Sequence, residues 1–425
     1  MRKPLVVTAI DFSKAFDSVN RAKLIEALIK FKFHPTAIDV IVSIYENDST
    51  DIHLGDNKIT QIEVTSGIRQ GCNGSTVLFL LITYLIIEEI SKSGIGFKNH
   101  LFYIPGLFFA DDGLQLSHSV EEARKGLECM RSIAKKYGLD LNDKKSKIII
   151  YNMENQPKEI AGIEVANKIS YLGVTITNAR KCFKEHRASS INKAQKFAAM
   201  LPATIARSTS RLLIGKTYWK NIVMPSILYG SEVMLYTDTE TKRLQTAENR
   251  AWRYILQAPG HATNASLRSE IGASSQKYRD MKSKLLFAKH LTENQFTNQL
   301  FNDSMIFHHT GWSGQMKKYL KEANIHPESL QNISVKQITD KVNSLDKAAW
   351  EKEIHSKSTL SLYSSLKTEI RHEEHIYDNS EASRILFEAR TNWLRLGWRE
   401  EFKGNSTSCP LCQHRKEDLL HFLSK

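Results

Sequence analysis

Two short apolar strands that end on acidic residues constrain this chain more than any other feature. Residues 6–10 (VVTAI) run into Asp11, and residues 107–110 (LFFA) run into Asp111 and Asp112. A carboxylate at the end of a buried strand is costly unless it is paired or bound to a metal. Each site alone is typical of a turn, because Asp is common at strand ends and Asp-Asp-Gly suits a tight hairpin. Together they indicate carboxylates brought side by side to hold two divalent cations, and hard oxygen ligands favour magnesium.

The composition indicates a basic, globular chain of more than one domain. It has 425 residues, and 59 Lys and Arg against 46 Asp and Glu give a net charge of +13, which favours an acidic partner. The longest apolar run, residues 77–87, is shorter than the roughly 20 residues that span a bilayer, so we expect no membrane partner. Five scattered cysteines and the lack of a signal peptide predict an intracellular protein of the nucleus, the cytoplasm or both. The oligomeric state is left open.

The pattern of apolar residues changes near residue 180. Up to that point, strand-like runs alternate with helical spacing, which is clearest over residues 120–137, whereas the chain is mostly helical from about residue 183. A hairpin is predicted around Gly55-Asp56-Asn57, and Ser75 is expected to cap the apolar helix that follows residue 71. The sequence therefore predicts a mixed α and β region followed by a helical one.

Five motifs in the first 180 residues resemble those of reverse transcriptases from non-LTR (LINE-type) retrotransposons. In order they are Asp11-Phe12-Ser13-Lys14-Ala15-Phe16-Asp17, Ser66-Gly67-Ile68-Arg69-Gln70-Gly71-Cys72, Phe109-Ala110-Asp111-Asp112, Asn142-Asp143-Lys144-Lys145-Ser146 and Tyr171-Leu172-Gly173. Each motif alone is weak, but five in the family order are specific. Residues 225–232 and 244–250 resemble the family's thumb, and residues 390–394 with Cys409-x-x-Cys412 resemble its C-terminal segment.

The resemblance implies an α+β fold with four regions. Residues 1–180 would be a polymerase palm, an antiparallel sheet with helices that lacks most of the fingers. Residues 181–275 would be a helical, basic thumb that binds nucleic acid, and residues 276–400 a helical C-terminal region. Residues 401–425 would be an incomplete zinc-knuckle-like segment.

The resemblance also implies an RNA-directed DNA polymerase, which adds deoxynucleotides to a primer 3′ end by two-metal phosphoryl transfer. Its partners would be an RNA template, a DNA primer and deoxynucleoside triphosphates. The catalytic carboxylates would be those of Asp11, Asp111 and Asp112, which would hold two Mg²⁺ ions together with the carbonyl of Phe12.

The same resemblance assigns residues to the nucleotide and the template. Phe16 would pack under the incoming sugar and exclude a ribose 2′-hydroxyl, although a core aromatic is an equal interpretation. Gln70 would line the nucleotide and template pocket, in a loop shaped by Arg69 and Gly71. Lys145 would lie near the primer end or the phosphates, and the alternative is a solvated surface lysine.

The chain departs from the family pattern in two places. Residues 73–76 (NGST) stand where the family usually has Pro-Leu-Ser-Pro, and the sequence begins almost at the first catalytic motif. The family places a fingers region before that motif, which supplies cations to the triphosphate, so we expect little or no synthesis by residues 1–425 alone. A catalytically silent nucleic-acid-binding remnant is therefore the alternative function. A group II intron maturase or telomerase-like enzyme is disfavoured by the Arg-Gln-Gly-Cys loop and the Cys-x-x-Cys tail.

Residues 187–231 contain no Asp or Glu. We assign nucleic-acid contact to seven basic residues inside this stretch: Arg187, Lys193, Lys196, Arg207, Arg211, Lys216 and Lys220. A basic stretch without acids suits phosphate-backbone contact, which is salt-dependent and indifferent to base sequence. The alternative is a solvated helix face, but such faces normally mix charges of both signs.

Cys409, Cys412 and His421 have the spacing of three ligands of a Cys-x2-Cys-x8-His knuckle. A structural zinc site takes four ligands, and the family pattern places the last, a Cys, one position beyond Lys425. His414 lies too close to Cys412 to serve easily as the fourth ligand in place of that final Cys. The sequence therefore favours an incomplete site that does not hold Zn²⁺ in this chain.

Overall fold

The computed structural model of the chain describes residues 4–55, 57–98, 102–205, 210–371, 381–394, 396, 407–409, 412, 413 and 421. It divides into two compact units, Met1–His186 and Arg187–Lys425.

The first unit mixes short antiparallel strands with helices. Its strands are β1 (Leu5–Ile10), β2 (Phe12–Ser13), β3 (Ser49–Leu54), β4 (Asn57–Glu63), β5 (Phe97–Lys98), β6 (Tyr103–Ile104), β7 (Leu107–Phe109), β8 (Asp112–Ser117), β9 (Asp140–Leu141), β10 (Lys147–Tyr151), β11 (Glu159–Ile160), β12 (Ile163–Glu164), β13 (Lys168–Tyr171) and β14 (Val174–Thr177). Its helices are α1 (Ala15–Ser18), α2 (Arg21–Lys30), α3 (Pro35–Tyr45), α4 (Asn73–Ser93) and α5 (Val120–Lys136), and α6 (Lys184–Ile205) begins at its end. β3 and β4 form the hairpin predicted around Gly55, which has a φ of +59°.

A four-stranded antiparallel sheet, in the order β10-β1-β8-β7, forms the centre of the first unit. Val7 of β1 pairs with Ile149 of β10 on one side and with Leu116 of β8 on the other. Because successive side chains of a strand point to opposite faces, Val6 packs into the core with α4 and α5, whereas Val7 packs with Ile169 of β13. Burial on both faces explains why β1 is apolar at every position but Thr8.

The apolar run at residues 77–87 belongs to α4, which is 21 residues long. Among the described residues it is the one helix with the length and mean hydropathy, 1.6, that a membrane span would need. Phe79, Ile82 and Ile86 are buried in the core of the first unit. The helix begins at Asn73 with Cys72 at the N-cap position, so the expectation that Ser75 is the cap was wrong. Gly71, with a φ of +82°, turns the chain into the helix before Ser75 is reached.

The second unit, as far as the structure describes it, is helical. Its helices after α6 are α7 (Arg211–Tyr218), α8 (Met224–Leu228), α9 (Asp238–Leu256), α10 (Asn264–Ile271), α11 (Gln276–Glu293), α12 (Gln295–Phe307), α13 (Gly311–Glu322), α14 (Val335–His355), α15 (Ser361–Leu366) and α16 (Glu381–Arg390). A π-helical segment, Trp219–Val223, joins α7 to α8, and short 3-10 turns lie at Ser231–Val233, Pro327–Ser329 and Ser358–Leu360. The α+β class, a sheet region with helices followed by a helical region, is confirmed.

Separate hydrophobic clusters hold the second unit together. One is built on α6, α7 and α9 around Trp219 and Trp252, and Phe387 of α16 also packs in it. Another joins α11, α13 and α14 around Met281, Met316 and Ile338. Because the first of these cores draws on a residue more than 100 positions later in the chain, residues 187–275 do not close their own core.

Candidate metal and nucleotide site

The three acidic residues at the strand ends lie at one edge of the central sheet. Ile10 pairs with Gly113, so Asp11 and Asp112, the next residues on these antiparallel strands, leave the sheet side by side. Asp111 lies in the turn between β7 and β8, where Phe109 pairs with Asp112. Residues that face each other across antiparallel strands have Cα atoms roughly 4.5–5.5 Å apart. The fold thus brings the three carboxylates together.

The electrostatics of this edge favour a bound cation. Burial, and then the negative charges of Asp111 and Asp11, raise the pKa of the Asp112 carboxyl. Oδ2 of Asp11 is buried and has no hydrogen-bond partner among the described residues. Three close carboxylates repel one another unless positive charge lies between them. A donor set made of carboxylate oxygens fits hard divalent ions such as Mg²⁺.

Residues 142–146 hold Asp11 in place. The backbone N–H of Asp11 donates to Oγ of Ser146 at 3.1 Å, and the N–H of Asn142 donates to the Asp11 carbonyl at 2.8 Å. Lys145 extends from this loop with its side chain 72% exposed, and its Nζ lies 3.9 Å from Oδ2 of Asp11. The lysine is therefore both solvated and adjacent to the carboxylates.

The turn that carries Asp111 is strained. Ala110 has a φ of +53°, in the left-handed region that side chains other than glycine rarely adopt. Strain of this kind persists only where the surrounding structure fixes it, and it is concentrated at functional sites. The strained backbone of Ala110 therefore favours a functional role for the turn that carries Asp111.

The two aromatic residues of the first motif differ in exposure. The Phe12 side chain is buried in the core, and its backbone pairs with Leu141 in the strand that follows α5. Phe16 is half-buried and stacks on Phe79 of α4, with ring centroids 4.7 Å apart and an interplanar angle of 17°. One face of Phe16 therefore packs against the core, and its contact with the incoming sugar stays a prediction.

The loop of residues 66–71 runs beside the turn that follows the first motif. The N–H of Gly67 donates to the Val19 carbonyl at 2.9 Å, and the N–H of Ile68 donates to the Phe16 carbonyl at 2.8 Å. At the tip of the loop, Nε2 of Gln70 donates to Oδ1 of Asp17 at 3.0 Å. These bonds fix Gln70 relative to the strand that carries Asp11.

Sequence reasoning missed the two residues that anchor this loop, Arg21 and Asp48. The Arg21 guanidinium donates to the carbonyls of Gly67, Tyr45 and Val64 at 2.9, 3.1 and 2.6 Å, and to Asp48 at 2.8 Å.

Arg69 also donates to Asp48, at 3.0 Å. Although burial raises the pKa of Asp48, hydrogen bonds from Arg69 and Arg21 hold it below its ordinary value. No local pattern signals this cluster, because its members lie more than 20 residues apart in the sequence.

The seven residues that were predicted to contact nucleic acid differ in their exposure and in their interaction partners. Arg187 is only 5% exposed and forms an ion pair with Glu240 at 3.2 Å, so its assignment to a phosphate-binding surface is wrong. The guanidinium of Arg211 is half-buried and lies over the ring of Tyr254. Lys193, Lys196 and Lys220 are exposed, Lys216 is half-buried, and Arg207 lies outside the described residues.

The Cys/His group comes together at one place in the second unit. The ligand atoms of Cys409, Cys412 and His421 lie within 4.8 Å of one another, and Sγ of Cys412 is 3.2 Å from Nε2 of His421. Thiolate and imidazole are the ligands that zinc prefers, and three are present of the usual four. The expectation that this chain does not hold Zn²⁺ stays a prediction.

Comparison with known proteins finds a family model and several relatives that resemble this chain. Residues 1–176 match the family model "Reverse transcriptase (RNA-dependent DNA polymerase)". The chain is similar to the "Retrovirus-related Pol polyprotein from type-1 retrotransposable element R2" of Nasonia vitripennis, with 27% identity over 241 residues, and to that of Bradysia coprophila, with 25% over 194 residues. These matches cover 51% and 42% of this chain and 23% and 22% of the relatives, less than a quarter of their own length.

Solved structures with a likeness to the chain include two of telomerase from Candida tropicalis. The apo enzyme has 16% identity and a TM-score of 0.32, with 43% of this chain and 35% of that chain covered. The enzyme with a fragment of telomeric RNA has 12% identity and a TM-score of 0.34, with 84% and 48% covered.

The motifs, their convergence and the family match identify the same part of the chain. The five motifs lie within residues 11–173, and the matched range is 1–176. The relatives are polyproteins of R2 elements. Residues 1–176 therefore match the reverse transcriptase family, and the chain is similar to the Pol polyproteins of R2 retrotransposable elements.

Proposed function

We propose that this chain is the palm, thumb and C-terminal part of an RNA-directed DNA polymerase from a non-LTR retrotransposon. The observation that carries the proposal is the meeting of Asp11, Asp111 and Asp112 at one sheet edge, inside the domain that matches the reverse transcriptase family. The raised pKa of Asp112, caused by burial and by its two acidic neighbours, supports a site that cations complete.

The chain's own residues would hold and orient the reactants. Asp11, Asp111 and Asp112 would bind two Mg²⁺ ions, with the Phe12 carbonyl beside them. The chemistry these ions supply is activation of the primer 3′-hydroxyl and stabilisation of the departing pyrophosphate. Lys145, 3.9 Å from Asp11, is placed to contact a phosphate oxygen near the same point.

The nucleotide would lie between Phe16 and the loop of residues 66–71. Gln70 is exposed and is held by Asp17, and Arg69 is exposed with Asp48 as its ion-pair partner. The exposed lysines of α6, Lys193 and Lys196, supply positive charge for the phosphate backbones of the RNA template and the DNA primer.

Primer extension tests the proposal. A DNA primer annealed to an RNA template is incubated with Mg²⁺ and deoxynucleotides, using a longer chain that carries the upstream sequence of its natural source and, in parallel, residues 1–425. We expect template-dependent extension by the longer chain and little or none by residues 1–425. The expectation rests on the fingers region that the family places before the first motif, since its cations hold the triphosphate and such electrostatic stabilisation is a large part of catalysis in phosphoryl transfer. Substitution of ribonucleotides for deoxynucleotides should reduce extension if Phe16 excludes the 2′-hydroxyl.

Two results would contradict these expectations. Robust extension by residues 1–425 would show that the residues of this chain suffice to bind the triphosphate. A longer chain that binds the primer–template but extends nothing would favour a silent nucleic-acid-binding protein.

A further inference from the structure

Asp48 is held between two arginines at the base of the β3–β4 hairpin. Its side chain is 11% exposed, its Oδ2 accepts a hydrogen bond from Arg21 at 2.8 Å, and its Oδ1 accepts one from Arg69 at 3.0 Å. The Asp48 carbonyl also accepts from the N–H of Val64 at 2.8 Å. Because its backbone and both of its carboxylate oxygens are held, Asp48 is well fixed within the first unit.

The two arginines differ in what their guanidinium groups have left to donate. Arg21 is 17% exposed, and all three of its nitrogens donate to backbone carbonyls or to Asp48. Arg69 is 54% exposed, and among the described residues only its Nη2 has partners, Asp48 and the carbonyl of Ile44 at 3.1 Å. Arg69 therefore keeps three N–H donors, on Nε and Nη1, for a further acceptor.

One positive charge of this group is not balanced. Burial raises the pKa of the Asp48 carboxyl, but hydrogen bonds from Arg69 and Arg21 hold it below its ordinary value, so the group is ionised at neutral pH. Its single negative charge stands against two guanidinium groups, which stay protonated in proteins. Because Arg21 is enclosed, the surplus positive charge is accessible to a ligand only at Arg69.

The position of Arg69 favours phosphate as that ligand. Arg69 lies in the loop of residues 66–71, and hydrogen bonds join this loop to Phe16 and Asp17 of the first motif. Arginine donors form their strongest hydrogen bonds with anionic oxygens, such as those of phosphate. An incoming nucleotide and a template strand would both bring phosphate to this part of the unit, so the free donors of Arg69 suit a phosphate.

The ion pair with Asp48 prepares Arg69 for such a ligand. An exposed ion pair usually contributes little, because two flexible side chains must be ordered to form it. Here Arg21 has already ordered Asp48, so only the side chain of Arg69 loses freedom. An arginine that is ordered before its ligand arrives binds more tightly, since the entropy cost no longer falls on the binding step.

We propose that Asp48 is a positioning residue, which fixes the guanidinium of Arg69 for contact with a phosphate of the substrate. The proposal rests on the proposed function, because that function places the nucleotide and the template beside the loop of residues 66–71. The phosphate belongs to the incoming triphosphate or to the template strand, and both offer the same anionic oxygens. Asp48 touches neither ligand and acts only through Arg69.

The sign of the effect of Asp48→Asn separates positioning from charge. Asn removes a negative charge near the phosphate, so an effect of charge alone would strengthen binding. Asn also has only one acceptor oxygen, and its NH2 group would face one of the two arginines, so it cannot hold Arg21 and Arg69 together. Salt screens the effect of charge at an exposed site, whereas the loss of order at Arg69 persists. We therefore expect weaker binding.

Two titrations with residues 1–425 test the proposal without any turnover. A DNA primer with a 3′-dideoxy end, annealed to a labelled RNA template, is titrated by fluorescence anisotropy, and a fluorescent deoxynucleoside triphosphate is then titrated into the complex with Mg²⁺. The variants are Asp48→Asn, Arg69→Gln and the double substitution. The matched control is Asp51→Asn, which removes the same charge from an exposed residue of β3 that pairs with Lys58.

Asp48→Asn should weaken at least one of the two binding steps about fivefold, because the freed arginine must be ordered again. Arg69→Gln should weaken the same step about 20-fold, since a hydrogen bond to a charged group is lost. The double variant should match Arg69→Gln within about twofold, as expected when one residue acts through the other. The control should stay within about twofold of the wild type. Loss in the first titration identifies a phosphate of the strand, and loss in the second identifies the triphosphate.

Arg69→Lys tests the geometry and leaves the pair of Arg21 and Asp48 intact. Lysine keeps the charge, but its ammonium is a point donor that cannot hold Asp48 and a phosphate as the planar guanidinium fork does. We expect binding at least about fivefold weaker than in the wild type. This variant decides the question even if Asp48→Asn lowers the melting temperature by leaving Arg21 without its partner.

Kinetics in the longer chain add a readout that a purely structural role would not give. If the phosphate is that of the triphosphate, Asp48→Asn should raise KM for the deoxynucleotide about fivefold and leave kcat unchanged within about twofold. If it is that of the strand, the dissociation constant of the primer–template should rise instead. A longer chain that binds both ligands but extends nothing would contradict the polymerase function, and the titrations would still decide the role of Asp48.

Four results would overturn the proposal. Tighter binding by Asp48→Asn would show that the carboxylate acts by its charge, and losses that multiply in the double variant would show that it acts through the fold. Full binding by Arg69→Lys would exclude a need for the fixed fork. Failure of the wild type to bind either ligand would exclude a phosphate site at Arg69 in this chain.

Discussion

Replacement of Asp111 by Asn is expected to reduce RNA-templated DNA synthesis about 1000-fold in the longer chain. Asp111 lies in the turn between β7 and β8, beside Asp112, and its negative charge adds to that of Asp112 and Asp11. Asn keeps the size of the side chain but removes one anionic ligand, and the loss of one preorganised electrostatic group costs about 10²–10³ in turnover. The rate of a single incorporation, measured with excess enzyme, reports this effect without a contribution from product release.

Asp140→Asn is the matched control for this substitution. Asp140 is an exposed acidic residue of β9 in the same unit, and its backbone pairs with Ser13. It is expected to leave the rate of incorporation unchanged within about twofold, as surface substitutions away from a site usually do. A comparable loss in both variants would mean that net charge, and not the carboxylate group, controls the rate.

Gly67→Ala is expected to destabilise the first unit by about 2–5 kcal/mol and to abolish synthesis. Gly67 has a φ of +85°, where an L side chain costs about 1–2 kcal/mol. A Cβ at this position would also lie 2.5 Å from the backbone oxygen of Asp17, and strain of this kind adds about 1–3 kcal/mol. Backbone atoms cannot rotate away as a side chain can, so the loop of residues 66–71 must move off the first motif.

Gly71→Ala separates the cost of the backbone conformation from the cost of the steric contact with Asp17. Gly71 has nearly the same conformation, with a φ of +82°, but its Cβ would meet nothing within 4 Å. We expect it to cost only the conformational part, about 1–2 kcal/mol. Native-state hydrogen exchange of the amides in β1 and β8 measures the free energy of unfolding of this unit in both variants. Equal values for the two variants would show that contact with Asp17 does not determine the position of the loop.

The central sheet and its carboxylates could be predicted because their signals are local. An apolar strand that stops at Asp11 and a hairpin turn at Asp111 are visible in a few residues each, and the nearly continuous apolar run of β1 follows from burial on both faces. The start of α4 was misplaced by a few residues, since Ser75 is a good capping residue by type but the turn at Gly71 starts the helix earlier.

The remaining parts of the site depend on contacts between distant residues. By residue type Arg187 could bind a phosphate, but its guanidinium is paired with the carboxylate of Glu240, which lies 53 positions away in the sequence. Arg21 and Asp48 anchor the loop of residues 66–71, but their spacing in the sequence follows no period. Tertiary packing decides each of these features.

Binding of Mn²⁺ to residues 1–425 tests most directly whether the three carboxylates form one cation site. Electron paramagnetic resonance distinguishes free from bound Mn²⁺, an ion that takes the same oxygen ligands as Mg²⁺, and it requires no turnover. Wild-type protein and the Asp140→Asn control should bind Mn²⁺ alike, and Asp11→Asn, Asp111→Asn and Asp112→Asn should each weaken binding at least tenfold. Unchanged binding in all three variants would contradict a shared site at the edge of the sheet.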